Sequence, residues 1–267
     1  MEKNPVPASI SREIKSFGHA VKIRELTVRS LRKLSPRFLE VVLAGPDLSD
    51  FVSLSPDDHI KAFFPREGRG ADFGRPVLGE NGLTFEEGKP APVMRDYTPR
   101  WFRGDELCLE FFLHEGGSGA EWARNARVGS KLLIAGPRGS RVVPYAFDWY
   151  LLIGDESALP SFKRRLEEMP PEAKGIAIFE IDDASEKTDL TVPSNLRIHW
   201  ISRSGSKAGR TEKLHELLRN LPFPEGDYFA WVSGEGSAVK ATAELLLETK
   251  GARREWLKAT AYWNADR

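Results

Sequence analysis

The sequence predicts an all-β domain followed by a smaller α/β domain built on a five-stranded parallel sheet. Two observations carry this. From about Val21 to Pro144 the chain is a series of short apolar runs punctuated by Gly and Pro, the texture of an antiparallel barrel or sandwich. From Trp149 onward, apolar runs alternate with amphipathic helical stretches, which implies βα crossovers and a parallel sheet. A length of 267 residues accommodates two modest domains. The expected division is a lead-in over 1–20, a β domain over 21–146 and an α/β domain over 147–267, with the boundary near Pro144–Asp148.

The lead-in is polar and is expected to be irregular or helical. In the first strand Val21, Ile23 and Glu25 alternate, but Leu26 and Val28 break the phase. Phe38–Leu43 ends at Gly45-Pro46, and His59–Phe64 ends at Pro65. Glu67–Pro92 is rich in Gly and Pro and reads as a long surface loop holding one weak hairpin. Leu107–His114 and Lys131–Ala135 follow as strands, with Cys108 buried in the first of them. In the second half the expected strands are Tyr150–Gly154, Ile176–Ile181, Arg197–Ser202, Tyr228–Ser233 and Lys258–Trp263. Helices are expected over Ala158–Glu168, with Leu159, Phe162 and Leu166 on one face, and over Thr211–Leu221 and Ala238–Lys250.

Thirty-nine basic residues balance thirty-nine acidic ones, which argues against a dedicated nucleic-acid binder. The single cysteine excludes an intramolecular disulfide and a Cys-based zinc or iron–sulfur site, and the five histidines form no His-Glu-x-x-His pattern. Redox chemistry would therefore need an organic cofactor. There is no signal-peptide pattern and no apolar run near the roughly 18 residues that span a bilayer. The expectation is a soluble, cytoplasmic monomer that inserts in no membrane.

Ligands bind beyond the carboxyl ends of the strands in an open parallel sheet, here Gly154–Pro160, Ser202–Ser206 and Ser233–Ser237. Three segments carry candidate chemistry. In Arg95-Asp96-Tyr97-Thr98-Pro99-Arg100 a guanidinium fork suited to phosphate lies on the same strand face as an aromatic ring, beside a hydroxyl. In His114-Glu115-Gly116-Gly117-Ser118-Gly119-Ala120-Glu121-Trp122-Ala123 small residues lead into a helix start, where backbone amides can approach an anion. In Gly154-Asp155-Glu156-Ser157-Ala158-Leu159-Pro160 a helix opens after the first parallel strand, without a Gly-x-Gly-x-x-Gly fingerprint. Taken singly, each also reads as ordinary structure: an edge strand, a flexible turn, a helix cap.

Together and in this order the segments resemble the siderophore-interacting protein family, flavin-dependent ferric-siderophore reductases of the ferredoxin-reductase-like superfamily. Arg95, Tyr97 and Thr98 are similar to the superfamily's flavin motif, and Gly117–Ala123 resembles the family's Gly-Pro-Ala-Ser-x-Trp-Ala. Ala135–Ser140 looks like the turn closing its barrel. Gly154–Pro160 closely matches Gly-Asp-Glu-Thr-Ala-Leu-Pro, and Trp231–Ser237 resembles Trp-Val-Ala-Gly-Glu-x-Ser. Tyr262-Trp263 falls where the family ends in Gly-Tyr-Trp, although Ala261 replaces the Gly, and Asn264–Arg267 lacks the paired arginines of many members.

The resemblance implies an antiparallel Greek-key β-barrel that binds FAD and a C-terminal domain that binds NADPH or NADH. It implies Arg95 on phosphate, Tyr97 against the flavin ring, Thr98 near its reactive nitrogen and Gly117, Ser118, Gly119 and Ala120 on the pyrophosphate. His114 and Trp122 would be adjacent, and Trp263 would stack on the cofactor. The NAD(P)H side would comprise Asp155, Glu156, Ser157, Ala158, Leu159, Pro160 and Glu235. Arg203, with Lys207 and Arg210 close in sequence, would meet a 2′-phosphate. Asp58-His59-Ile60-Lys61 resembles Asp-His-Val-Lys, making Lys61 the candidate siderophore ligand and His59 its neighbour. The implied activity is electron transfer from NAD(P)H through FAD to ferric iron in a siderophore, with no protein acid or base required and with ferredoxin open as another donor. The alternatives are a general flavin reductase and a siderophore-binding protein without redox activity.

Overall fold

The computed structural model describes residues 11–66, 72–80, 82–209 and 212–265. Its first half contains strands β1 (Lys15–Gly18), β2 (Ile23–Lys33), β3 (Phe38–Ala44), β4 (Ile60–Phe64), β5 (Pro76–Gly79), β6 (Gly82–Phe85), β7 (Val93–Tyr97), β8 (Trp101–Arg103) and β9 (Glu106–Phe112). Helix α1 (Ser118–Asn125) and strands β10 (Lys131–Ala135) and β11 (Gly139–Val142) complete it. Seven of these strands form one antiparallel sheet in the order β7-β4-β10-β2-β3-β9-β8. Hairpin neighbours such as β2–β3 and β8–β9 are mixed with strands brought from far along the chain. The edge strands β7 and β8 share no ladder, so the predicted barrel is a curled half-barrel.

The phase break in β2 has a physical cause. Leu26 and Val28 face the main half-barrel core with Val41, Leu43, Phe64 and Phe111. Val21 and Ile23 face the other way, under Phe73, Leu83 and Phe85 around the β5–β6 hairpin. Both faces of the strand are covered, so a single alternation cannot describe it. A bulge between Val28 and Ser30 adds to the irregularity. Arg24, on the inner face, is nonetheless satisfied: it donates to the carbonyls of Asp47 and Gly136 and to Asp50.

Part of the lead-in departs from expectation. Residues 1–10 lie outside the described residues, but Lys15–Gly18 is a strand paired with Gly139–Val142. Arg12 reaches the other domain, donating to Asp227 and Asp148 and lying 5.5 Å from the Trp256 ring. The short pieces β1, β8 and β11 lack the apolar alternation that marks a strand in sequence. The expected surface loop after Phe64 does hold one hairpin, β5–β6, while residues 67–71 of it lie outside the described residues.

The second half reads β12 (Trp149–Gly154), α2 (Leu159–Glu168), β13 (Lys174–Ile181), β14 (Asn195–Ser202), α3 (Lys213–Asn220), β15 (Tyr228–Glu235), α4 (Gly236–Thr249) and β16 (Leu257–Trp263). All five strands are parallel, in the order β14-β13-β12-β15-β16. Strands covered on both sides read as continuous apolar runs, as Leu151–Ile153 and Phe229–Val232 do.

Helix α2 is the joint between the halves. Leu159, Phe162 and Leu166 pack into the aromatic layer on the sheet with Phe179 and Trp231. Its other side carries Lys163, Arg164 and Arg165, all buried. Lys163 Nζ meets Glu110 of β9 at 2.9 Å, and Arg100 Nε meets the same carboxylate at 3.2 Å. Arg100 also pairs with Glu167, and Arg164 donates to Ser53 Oγ and to the carbonyls of Pro99 and Ser53. Arg165 donates to the Val143 carbonyl and lies 4.2 Å from the Tyr145 ring. Buried charges need such partners, and here the partners belong to the other domain or the segment joining the two.

Candidate active site

A cavity of about 1320 Å³ lies between the half-barrel and the parallel sheet. It is larger than the pocket of one drug-sized ligand, for which roughly 300–1,000 Å³ is usual. All three sequence segments reach its wall.

On the half-barrel side, β7 pairs among the described residues only with β4, placing Arg95 opposite Ala62 and Tyr97 opposite Ile60. Arg95 is exposed and among the described residues donates only to its neighbour's carbonyl at Met94, which leaves its fork available to an anion. Thr98 borders the cavity one residue past the strand. The Tyr97 ring lies 4.4 Å from that of Phe111, and burial pushes its hydroxyl well above the usual phenol range. Gly119 is required by this hydroxyl: a Cβ there would lie 2.2 Å from Tyr97 Oη. Gly117 has φ +82°, and a Cβ would lie 2.7 Å from His114 Cε1. No side chain caps the start of α1. This side-chain-free cradle at a helix start, beside an available arginine, fits the diphosphate of FAD. His114, Gly117, Gly119 and Ala120 border the cavity. Ser118 and Trp122 do not. Ser118 is buried, and Trp122 turns into the half-barrel core, 5.4 Å from Phe111 and 5.9 Å from Phe64, because its apolar face is better covered there.

At the nucleotide end the chain turns sharply after β12. A Cβ on Gly154 would lie 2.7 Å from Ala158, Phe162 and the Ser233 carbonyl, so only Gly lets α2 approach this closely. Asp155 is a knot. Its Oδ1 accepts from Ser157 N, while its Oδ2 accepts from Glu235 N at 2.9 Å and from Trp263 Nε1 at 2.8 Å. One carboxylate thus ties together the ends of β12, β15 and β16. Trp263 borders the cavity with its indole nitrogen held in this way. Ser157 and Pro160 also border it, whereas Ala158 and Leu159 are core. Glu235 caps α4, accepting from Ser237 N and Ala238 N, and takes Ala265 N as well. Burial raises its carboxyl, but these hydrogen bonds outweigh burial and leave it below the usual range.

Arg203 and Glu156 both border the cavity. Arg203 is buried, and its Nη1 and Nη2 donate to Glu156 at 2.8 and 2.6 Å, with Glu180 3.6 Å away. Burial raises Glu156 against the pull of Arg203, and burial raises Glu180 to about 7. The Arg203 guanidinium is thus engaged by carboxylates of its own chain. The sequence shows Arg203 just past a strand but not Glu156 folding onto it. Lys207 is exposed, and Arg210 lies outside the described residues.

The substrate side also departs from expectation. His59 is exposed and borders the cavity. Lys61 does not; it pairs with Asp96 across the β4–β7 rung at 2.7 Å. The lysine that borders the cavity is Lys258 of β16, ion-paired with Asp57 of the half-barrel and 4.9 Å from the Trp231 ring. Sequence reading missed it because it resembles any strand-opening lysine, and only the docking of the two halves buries it. Of the tail, Asn264 and Ala265 reach the cavity wall, and residues 266–267 lie outside the described residues.

Comparison with known proteins places these features in context. Residues 27–141 match the family described as siderophore-interacting FAD-binding domain, and residues 147–266 match the family described as siderophore-interacting protein. The chain is 35% identical over 249 residues to the NADPH-dependent ferric-chelate reductase of Escherichia coli, covering 92% of this chain and 94% of that one. It is 34% identical over 235 residues to the ferric vibriobactin reductase ViuB of Vibrio cholerae, covering 86% and 85%. A siderophore utilization protein from T. fusca has a similar solved structure, with a TM-score of 0.89, 34% identity and coverage of 96% and 97%.

Proposed function

The chain belongs to the siderophore-interacting protein family, and on that premise we propose that it is an FAD-dependent ferric-siderophore reductase that takes electrons from NADPH or NADH. The observation that carries this reading is one chamber bordered both by the Arg95–Thr98 segment with its glycine cradle and by the Asp155–Pro160 turn. FAD, when bound, supplies the conversion between two-electron hydride chemistry and single-electron transfer to iron. Arg95 and the amides around Gly117–Ala120 would hold its phosphates, and Tyr97 and Thr98 would meet its ring. Asp155 holds Trp263 at the opposite wall. The helix α2 contacts fix the two halves so that donor and cofactor meet in register. Iron leaves because hard oxygen ligands hold Fe(II) far less tightly than Fe(III).

We assign the nucleotide to Ser157, Pro160 and the end of β12, without a contact to Arg203. The domain division at 146/147 follows the same logic, with 11–18 attached to both halves. Among the described residues no helix is long and apolar enough to cross a membrane. Monomeric action in the cytoplasm, in keeping with one buried thiol, completes the reading, with a ferredoxin as a second possible electron donor.

The test is anaerobic. Purified protein is expected to show flavin absorbance, to release FAD on denaturation, and to form Fe(II) from a ferric siderophore when NADPH is added. A flavin-loaded protein that bleaches with NADPH but leaves ferric chelates unreduced would favour a general flavin reductase. A protein that binds the chelate tightly and takes up no FAD would be a binding protein instead.

A further inference from the structure

The residues assigned to FAD and to the nucleotide leave one stretch of the chamber wall without an occupant. It lies where β1 joins β11, with Phe17 opposite Ser140 and Ser16 opposite Arg141. Ser140 Oγ donates to Asp58 at 2.6 Å, and the adjacent Asp57 is ion-paired with Lys258 of the other half. His59 reaches the same wall. Counting Asp, Glu, Lys and Arg, two carboxylates, Asp57 and Asp58, stand here against two cations, Lys258 and Arg141. Among the described residues the stretch therefore carries no net charge. Lys61, off the wall, is likewise matched by Asp96. The wall also offers apolar surface, because Phe17 is 44% exposed and Met94 38%, and both border the chamber.

We propose that this stretch takes the iron chelate and selects an uncharged one, of the trihydroxamate class, and that Asp57 enforces the choice by neutralising Lys258; the proposal rests on the reductase reading above. Three hydroxamates, each with a single negative charge, cancel Fe(III), so their complex is neutral. Three catecholates leave it with three negative charges. The cost of taking an ion out of water rises with the square of its charge, and only opposite charge at the site offsets it. Here no excess of positive charge awaits an anion. The electron passed to iron makes the difference larger: the trihydroxamate complex gains one negative charge, while the tricatecholate complex goes from three to four. Asp57 acts through Lys258. With the carboxylate in place the ammonium is already matched. Without it, the wall gains an uncompensated cation that draws anionic chelates, whereas loss of Lys258 would leave a carboxylate that repels them.

The test is binding to the oxidised, FAD-loaded protein by titration calorimetry. Gallium(III) has the charge of Fe(III) and takes no electron, so the Ga(III) complexes of desferrioxamine E (a neutral trihydroxamate) and of enterobactin (a tricatecholate) report affinity without turnover. The natural chain should bind the trihydroxamate complex at least about tenfold more tightly, with a Kd that salt between about 50 and 300 mM leaves unchanged. In Asp57→Asn this preference should fall about tenfold, the gain for the tricatecholate should weaken with salt, and Asp57→Asn/Lys258→Gln should restore the natural ratio. Lys258→Gln keeps the proposal testable should Asp57→Asn not fold: it should widen the preference by about threefold or more. Equal or tighter binding of the tricatecholate by the natural chain would overturn the charge rule. A ratio unmoved in the folded single variants would overturn the role of Asp57. Binding of neither complex would overturn the siderophore reading itself, and this inference with it.

Discussion

Lys258 and Asp57 meet across the domain boundary: an ammonium from the edge strand of the parallel sheet is paired with a carboxylate from the loop before β4. Neither belongs to a motif legible in the sequence, and both border the chamber.

Removing Asp57 leaves a largely buried ammonium without that partner. Asp57→Asn is expected to destabilise the protein at pH 7, by less than the roughly 3–5 kcal/mol for breaking a fully buried pair. Burial pushes the Lys258 ammonium down to about 8, below its value of 10.5 in the unfolded chain. Loss of Asp57 lowers it further, and between the folded and unfolded values the unfolded state binds more protons, so stability rises with pH. The deficit should therefore shrink as pH rises toward about 8 and stay level from there to pH 10, as read from denaturant midpoints. A deficit constant from pH 6 to 8 would show that Lys258 stays charged without its partner.

Lys163→Met strands Glu110, which then keeps only Arg100. Loss of roughly 3–5 kcal/mol is expected. The double variant Lys163→Met/Glu110→Gln should recover part of it, because the orphaned charge is gone. Equal loss in single and double variants would mean that packing, not charge, holds the halves.

Gly119→Ala sets a methyl group where Tyr97 Oη now sits. FAD affinity is expected to fall by more than tenfold, which is about 1.4 kcal/mol, with far-UV circular dichroism unchanged. Arg95→Ala should also weaken FAD binding, through phosphate contact alone. Natural FAD content in both variants would remove this segment from the cofactor site.

Arg203→Gln breaks the pair with Glu156. If Arg203 is spent on that carboxylate, kcat/KM for NADPH and for NADH should fall together, and their ratio should change by less than about threefold. Loss confined to NADPH would return Arg203 to the 2′-phosphate.

The parallel sheet was legible almost to the residue, because strands buried on both faces must be apolar throughout and their helices must carry one apolar stripe. Trp149–Gly154 and Tyr228–Glu235 show this plainly. The half-barrel was legible as class but not in detail. Lys15–Gly18 is fully exposed and Trp101–Arg103 is three residues long, so neither leaves an apolar signature. In the site, residues whose role is set by backbone, such as Gly117, Gly119 and Gly154, could be picked out. Residues whose role is set by a distant partner could not. Arg203 was read as a 2′-phosphate ligand with no sign of its ion pair, because Glu156 lies 47 positions away in sequence. Trp122 was read as adjacent to the cofactor because nothing local shows that Phe64 and Phe111 await it.

Helix α2 has a consequence for biosynthesis. The half-barrel is complete once Val142 has left the ribosome, yet Arg100 and Glu110 then have only one another, and their further partners at 163 and 167 have not been made. The helix, for its part, shows water only Glu167 and Glu168, being greasy toward its own sheet and cationic toward its neighbour over residues 159–166. The two halves are therefore finished by one another. A gene fragment encoding either half alone should yield a product that sticks to chaperones, and a graft of this nucleotide domain onto another flavin domain would have to carry Glu110 and Ser53 with it.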